Sequence, residues 1–305
     1  MSLYHKYRPS NFRQVKGNKD VVSALEVMLG NIETCPHSFL FSGPTGCGKT
    51  TLGRIVASNL NSHGDDFREV DSADFRGIDT IREIRKNSTY KAIQSEHRVW
   101  LIDECHKLTD DAQNALLKIL EDSPKHVYFI LCTTRPQKLL SEIKGRCQQF
   151  VVTPLTEMEM KGLLNKIVIR ENETLDEIIY EHIIQDSQGH PRNAIQILEQ
   201  VLSVPPENRL EVAKKAESEL FEVNELCRAL IKKGTGWKEV RTILAGLQNQ
   251  EPEGIRRMVL GYCKSILLKS DNPLCGLIME EFVNPFYDSG FPQLVLACYT
   301  IIKNK

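Results

Sequence analysis

The sequence predicts an α/β domain built on a parallel sheet, followed by two regions made only of helices. Three short apolar runs, at 38–42, 99–102 and 127–133, indicate buried strands. Amphipathic segments at 50–60 and 112–120 lie between these runs and indicate helices. Strands that alternate with helices are typical of a parallel sheet with helices on both faces.

The region after Pro154 shows only helical periodicity. Its first helix, at 156–170, begins with a Thr-x-x-Glu capping sequence. Further helices fit 175–187, 193–202, 240–247 and 255–268. Prolines at 205 and 206 indicate a linker. A chain of 305 residues is long enough for several domains. We predict an α/β domain over 1–152, a small helical domain over 153–206 and an all-α domain over 207–305.

The composition narrows the class of protein. The net charge is −1, so any contact with nucleic acid needs a local basic patch or several subunits together. The first residues lack the apolar core of a signal peptide, and no apolar run is long enough to span a membrane. The nine cysteines form no C-x-x-C pair and several fall in apolar runs. They predict reduced thiols in a cytoplasmic protein, with neither disulfides nor a zinc site.

Residues 43–50 read Gly-Pro-Thr-Gly-Cys-Gly-Lys-Thr and match the phosphate-binding pattern G-x-x-x-x-G-K-[ST]. The motif follows a predicted strand and begins a predicted helix, where backbone N–H groups can surround an anion. A glycine-rich turn that matches by chance is the alternative, and the flanking elements argue against it. The motif predicts ATP contacts from Gly43, Thr45, Gly46, Cys47, Gly48, Lys49, Thr50 and Thr51. We expect Lys49 at the β- and γ-phosphates and Thr50 at Mg²⁺.

Two carboxylates, Asp103 and Glu104, end the second apolar run. With a phosphate loop upstream, they predict that Asp103 holds the Mg²⁺ shell and that Glu104 is the catalytic group that polarises the attacking water. A solvated strand end is the alternative. The tetrapeptide at 103–106 also resembles the DExH box of helicases, but those enzymes need a second RecA-like domain and the rest of this chain is helical.

The N-terminal segment Lys6-Tyr7-Arg8-Pro9, followed by Phe12, Val15 and Gly17, has the order of a known motif. It resembles the opening segment of the AAA+ sliding-clamp loader ATPases, the family of the bacterial gamma/tau subunits and the replication factor C small subunits. The resemblance covers roughly residues 3–200. It implies an AAA+ P-loop NTPase domain, a helical lid and a helical collar. It also implies that Tyr7, Arg8, Pro9 and Val15 contact the nucleotide, although a proline-stopped turn would look similar.

Residues 71–82, Asp-Ser-Ala-Asp-Phe-Arg-Gly-Ile-Asp-Thr-Ile-Arg, resemble a stretch that begins a DNA-channel helix in this family. The resemblance implies DNA contacts from Arg76, Gly77, Arg82, Arg85 and Lys86. Arginine and lysine suit the phosphate backbone, and glycine lets the chain approach it closely. The alternative is a solvated helix of mixed charge, since Asp79 and Glu83 lie among these bases.

Three further residues receive roles from the resemblance. Residues 133–138 resemble the sensor-1 region and imply that Thr134 reads the γ-phosphate. Gly145-Arg146-Cys147 stands where the family has Ser-Arg-Cys and implies that Arg146 acts in trans, in a neighbour's ATP site. Residues 189–194 resemble the sensor-2 motif and imply that Arg192 closes onto the γ-phosphate. For Arg146 and Arg192, the alternative is an arginine that faces solvent.

The resemblance implies an ATPase with Mg²⁺ that opens a ring-shaped clamp and loads it on primer–template DNA during replication. Its partners would be other loader subunits in a pentamer, the clamp and the DNA, in a bacterial or phage-infected cell. The gamma/tau subunits carry a four-cysteine zinc module that residues 51–98 cannot form, so a compact variant without zinc is expected. A branch-migration AAA+ ATPase and a scaffold subunit of the same assembly remain alternatives, and scaffold subunits usually lose the lysine or the glutamate kept here.

Overall fold

The structure is a computed structural model that describes residues 2–72, 74–75, 77–232, 234–268, 270–286 and 289–305. The chain divides into two compact units, Met1–Pro205 and Pro206–Lys305. A further division of the first unit at residues 152 and 153 stays a prediction. Among the described residues, no helix combines the length and the apolar character needed to cross a membrane.

The first unit contains a sheet of five described strands, all parallel, in the order β2-β3-β4-β1-β5. The strands are β1 (Ser38–Ser42), β2 (Phe67–Asp71), β3 (Arg98–Asp103), β4 (Val127–Thr133) and β5 (Gln148–Val151). The predicted parallel sheet is confirmed, but the prediction of three strands was incomplete. The two strands that the sequence pattern missed, β2 and β5, are the edge strands. Most of their residues are exposed or half-buried, so they show no continuous apolar run.

Helices surround this sheet and continue beyond it. They are α1 (Leu3–Lys6), α2 (Lys19–Leu29), α3 (Lys49–Asn59), α4 (Ile78–Ser88), α5 (Asp110–Glu121), α6 (Ser141–Arg146), α7 (Glu157–Arg170), α8 (Glu177–Ser187) and α9 (Pro191–Leu202). The predicted capping box of α7 is confirmed: the Thr156 hydroxyl accepts from the Glu159 N–H, and the Glu159 carboxylate accepts from the Thr156 N–H. Helices α7, α8 and α9 pack on one another.

The two faces of the sheet follow from the alternation of side chains along the strands. Phe39 and Phe41 of β1 belong to a buried cluster that includes residues of α2 and α3. Leu40, which points the other way, belongs to a second cluster with α4 and α5. Gly53 lets α3 lie close to the sheet, since a Cβ there would come within 2.8 Å of the Leu101 side chain. This close packing fixes the helix that begins at the phosphate loop.

The second unit contains five described helices around a separate apolar core. They are α10 (Arg209–Ile231), α11 (Trp237–Gly246), α12 (Pro252–Leu267), α13 (Pro273–Glu281) and α14 (Gly290–Lys303). The buried carboxylate of Glu253 accepts hydrogen bonds from Arg256, Arg257 and the backbone N–H of Phe286. Hydrogen bonding from Arg256 outweighs burial and lowers the pKa of Glu253 to about 2. The charged carboxylate therefore ties α12 to the segment before α14.

Candidate nucleotide-binding site

A cavity of about 320 Å³ lies in the first unit, beside the carboxyl ends of the parallel strands. Ligands of open parallel sheets bind at this edge. The cavity is lined by the N-terminal segment, the turn between β1 and α3 with the start of α3, the ends of β2 and β3, Leu155, and helices α7 and α9. Most of the residues predicted to bind ATP or Mg²⁺ or to take part in catalysis line it. They are Tyr7, Arg8, Pro9, Val15, Thr45, Gly46, Cys47, Gly48, Lys49, Thr50, Thr51, Asp103, Glu104 and Arg192.

The phosphate loop depends on backbone conformations that favour glycine. Gly43, Gly46 and Gly48 have φ angles of 145°, 78° and 100°. A Cβ on Gly43 would lie 2.0 Å from the Val152 carbonyl oxygen, so only glycine fits there. Lys49 is 5% exposed, and its ammonium donates to the Pro44 carbonyl at 2.8 Å. The loop thus presents N–H groups and one ammonium to the cavity, a set of donors that suits a polyphosphate.

Two oxygen groups at the cavity floor fit a magnesium ion. The Thr50 hydroxyl donates to the Asp103 carboxylate at 2.7 Å, across the gap between the start of α3 and the end of β3. The other carboxylate oxygen accepts from the Glu104 backbone N–H at 2.9 Å. Hydroxyl and carboxylate oxygens are ligands that Mg²⁺ prefers, usually together with water and phosphate oxygens. The predicted pairing of these two residues is therefore consistent with their geometry.

Glu104 directly follows β3, and its carboxylate contacts two polar side chains, those of Thr134 and His106. Its φ of 48° is unusual for a residue with a side chain. One carboxylate oxygen lies 3.2 Å from the Thr134 hydroxyl and 3.1 Å from Nδ1 of His106. Burial lowers the pKa of His106 despite the neighbouring carboxylate. Nδ1 of His106 also lies 3.1 Å from the Thr133 hydroxyl. These contacts set the direction of the Glu104 side chain.

Two arginines and a tyrosine, Arg8, Arg192 and Tyr4, form a polar wall of the cavity. The Tyr4 hydroxyl oxygen accepts from Arg8 at 2.7 Å and from Arg192 at 3.0 Å. Nε of each arginine is buried and has no hydrogen-bond partner among the described residues. Two unsatisfied cationic donors beside the phosphate loop fit an anionic ligand. Arg192 reaches this wall from the first turn of α9.

Another part of the cavity wall is apolar. It is formed by Val15 of the N-terminal segment, Leu155, Leu163 of α7 and Ile195 of α9. A flat aromatic base fits such a surface better than a phosphate does. The sequence prediction did not include Tyr4, Leu155, Leu163 or Ile195. Leu163 and Ile195 follow helical periodicity and look like ordinary core positions, Leu155 stands just before a predicted helix, and Tyr4 stands just before the recognised motif.

Three residues assigned to nucleotide binding or catalysis do not line the cavity. Gly43 lies at the end of β1 behind the loop, and Thr134 is connected to the cavity through Glu104. Arg146 ends α6, has a side chain 45% exposed and pairs with Glu121 at the end of α5. Arg146 is therefore not part of the cavity of its own chain, and its role in trans stays a prediction.

The residues predicted to bind DNA are grouped at α4, apart from Arg76, which lies outside the described residues. Gly77 precedes the helix, and a Cβ on it would meet open space. Arg82, Arg85 and Lys86 are exposed on the helix. Arg82 forms an exposed ion pair with Asp79 at 3.0 Å. The face is accessible but of mixed charge, so both the DNA-binding and the solvated-helix interpretations remain predictions.

Comparison with known proteins identifies the family. Residues 65–156 match the family model described as DNA polymerase III, delta subunit. The DNA polymerase III subunit gamma/tau of Mycobacterium tuberculosis is 37% identical over 228 residues, which cover 67% of this chain and 39% of that protein. The gamma subunit of Buchnera aphidicola from Baizongia pistaciae is 33% identical over 244 residues, or 72% of this chain and 65% of that one. The chain belongs to the AAA+ clamp-loader family.

The clamp-loader relatives are longer than the matched region. The chain spans 39% of the length of the mycobacterial protein and of the tau subunit of Bacillus subtilis, which is 34% identical over 223 residues. Among solved structures, the Holliday junction branch migration motor RuvB of Thermotoga maritima matches with a TM-score of 0.59. The match covers 79% of this chain and 85% of the RuvB chain, at 22% sequence identity. This likeness shows the fold alone, a P-loop NTPase of AAA+ type with helical domains.

Proposed function

We propose that this chain is an ATP-hydrolysing subunit of a sliding-clamp loader that acts in DNA replication. One observation carries the proposal: in a chain of the clamp-loader family, the buried Lys49 ammonium, the Thr50–Asp103 pair and Arg192 surround one cavity. Their side chains come from distant parts of the sequence and supply the donors and acceptors that a nucleoside triphosphate with Mg²⁺ needs.

Each residue has a role in the proposed reaction. The loop amides and Lys49 bind the phosphates, and Thr50 and Asp103 would hold Mg²⁺, whose chemistry is to neutralise phosphate charge. Glu104 orients and polarises the attacking water, while Thr134 and His106 keep its carboxylate in place. Arg192 binds the γ-phosphate and relates the position of the helical lid to the nucleotide. Most of the rate acceleration would come from position and charge.

The site is completed by a neighbouring subunit. Arg146 is exposed and lies outside the cavity of its own chain, which supports a role as an arginine finger in trans. A Cβ on Gly145, where the resembling family motif has serine, would meet open space, so the departure from the motif does not disturb the position of Arg146. The second unit, a helical bundle with its own core, suits the collar that holds a pentamer together. Helix α4 supplies the proposed DNA contacts.

The direct test uses the assembly purified with its native neighbours. ATP hydrolysis should rise more with clamp and primer–template DNA together than with either alone. Glu104→Gln should keep nucleotide binding and lower turnover by at least about 100-fold, because the general base is lost. Glu181→Gln, an exposed position on α8, is the matched control and should leave turnover unchanged. Full turnover by the Glu104→Gln assembly would contradict the assigned role, and an absence of stimulation by clamp and DNA would contradict the loader function.

A further inference from the structure

We propose that Tyr4 is a positioning residue that aims Arg192 at the γ-phosphate and so lets the site distinguish ATP from ADP. The proposal rests on the nucleotide site described above and extends it to a residue outside the recognised motifs. Tyr4 lines the cavity, and its ring and hydroxyl contact both arginines of the polar wall.

The hydroxyl of Tyr4 joins two cations. Nη2 of Arg8 donates to it at 2.7 Å and Nη2 of Arg192 donates at 3.0 Å. Burial raises the pKa of the Tyr4 phenol. The hydrogen bonds that Arg192 and Arg8 donate, together with their positive charges, outweigh burial and lower that pKa below its ordinary value. The oxygen thus accepts from both guanidinium groups, and each of them uses one of its five donors there.

The ring of Tyr4 supports the same arrangement. The guanidinium carbons of Arg8 and Arg192 lie 4.8 and 5.0 Å from the ring centroid. Cations are attracted to the negative face of an aromatic ring at such distances. Two guanidinium groups on one side of a cavity repel each other, and the ring and the hydroxyl offset this repulsion. Without Tyr4, Arg192 would have more freedom to turn away from Arg8.

The position of Tyr4 is fixed by the rest of the N-terminal helix. Tyr4 lies in α1, which packs against α9, the helix that carries Arg192. The backbone N–H of Leu3 donates to the Glu199 carboxylate of α9 at 3.0 Å. These contacts hold Tyr4 against α9, and its hydroxyl also contacts Arg8 in the segment after α1. This link gives Arg192 a defined direction before nucleotide is present.

The donors of Arg192 that do not contact Tyr4 indicate which ligand group Arg192 can bind. Nε of Arg192 is buried without a partner among the described residues, while Nη2 is bound to Tyr4. The side chain stands beside the phosphate loop, since a Cβ on Gly46 would lie 3.4 Å from Cβ of Arg192. An oriented fork of this kind can bind a terminal phosphate oxygen. A nucleoside diphosphate has no γ-phosphate, so its affinity should depend much less on the direction of Arg192.

The test compares the affinities of the full-length chain for ADP and for a non-hydrolysable ATP analogue, both with Mg²⁺. Tyr4→Phe keeps the ring and removes the acceptor, and Tyr4→Leu removes both. Tyr4→Phe should weaken the ATP analogue by about tenfold, the effect of losing one charge-assisted hydrogen bond. It should change ADP affinity by less than about threefold. Tyr90→Phe, at an exposed position outside the cavity, is the matched control and should change neither affinity.

The outcomes separate this inference from the proposed function. Equal weakening of both nucleotides by Tyr4→Phe would indicate a merely structural role, and unchanged affinities in both Tyr4 variants would remove the residue from the site. Either result overturns the inference and leaves the proposed function of the unaltered chain standing. Failure of the unaltered chain to bind either nucleotide would instead contradict the proposed function itself.

Discussion

At the scale of single residues, the Thr50–Asp103 hydrogen bond is the most informative contact for magnesium. The two oxygens lie 2.7 Å apart at the junction of α3 and β3, and both are held by regular secondary structure. A rigid pair of oxygen ligands costs little reorganisation when a cation binds. The hydroxyl of Thr50, rather than its methyl group, should therefore determine how strongly Mg²⁺ supports nucleotide binding.

Thr50→Val tests this expectation, because valine has nearly the shape of threonine and lacks the hydroxyl. The variant should lower the Mg²⁺-dependent part of ATP affinity by about tenfold. Thr50→Ser, which keeps the hydroxyl, is the control and should stay within about threefold of the original chain. Titration calorimetry with and without a chelator measures the ATP affinity of each variant. Equal affinities for the valine and serine variants would show that Thr50 does not act through its oxygen.

At the scale of elements, the connection before β3 is held by a buried carboxylate. Asp66, fully buried, accepts from the backbone N–H groups of Ile93, Gln94 and Ser95 at 2.7–3.0 Å. It also pairs with the buried Arg98 at 3.1 Å. Burial raises the pKa of Asp66, but these hydrogen bonds outweigh burial and lower the pKa to about 2. One charged group thus fixes the end of the connection to the start of β3.

Asp66→Asn should cost about 3–5 kcal/mol of unfolding free energy at neutral pH, because it leaves Arg98 buried without its counter-charge. The folded pKa of Asp66, about 2, lies below its ordinary value of 3.8, so the charge stabilises the fold above pH 4. That stabilisation disappears as the pH falls towards 2, and the difference from the variant should shrink over the same range. Urea unfolding at several pH values measures this.

Asp65→Asn is the matched control for that experiment. Asp65 is the neighbouring residue, and its ion pair with Arg68 is exposed. Its replacement should cost less than about 1 kcal/mol. Comparable losses for the two variants would contradict the role given to burial and to the backbone hydrogen bonds of Asp66.

The elements also show where sequence patterns are sufficient. Strands β1, β3 and β4 are buried on both faces, so their apolar runs predict them, and the phosphate loop is contiguous. Strands β2 and β5 lie at the edges, where exposed positions interrupt the pattern. The wall of the cavity was missed for another reason. Tyr4 and Arg192 are 188 residues apart, and no local pattern indicates that α1 and α9 meet.

At the scale of the whole molecule, the role proposed for Arg146 requires a neighbouring subunit. The arginine pairs with Glu121 on the surface and does not line the cavity of its own chain. Arg146→Ala should therefore leave the nucleotide affinity of the isolated chain unchanged. In the assembly it should lower ATP turnover by about 1,000-fold, the range known for arginine fingers.

The same variant distinguishes a role in cis from one in trans. Equilibrium binding to the isolated chain and steady-state hydrolysis by the assembly are measured on the same preparation. A loss of affinity in the isolated chain would place Arg146 in its own site. Full turnover in an assembly in which every copy carries the variant would show that no neighbour uses it.

Every role proposed for the cavity residues depends on magnesium-dependent binding of ATP, which can be measured on the purified chain. The unaltered chain should bind ATP in a way that a chelator abolishes. Lys49→Ala should weaken binding at least about tenfold, because the buried ammonium is lost. Lys125→Ala, an exposed lysine outside the cavity lining, should bind normally. An unaltered chain without magnesium-dependent affinity for ATP, or equal affinities of the unaltered and Lys49→Ala chains, would contradict the account.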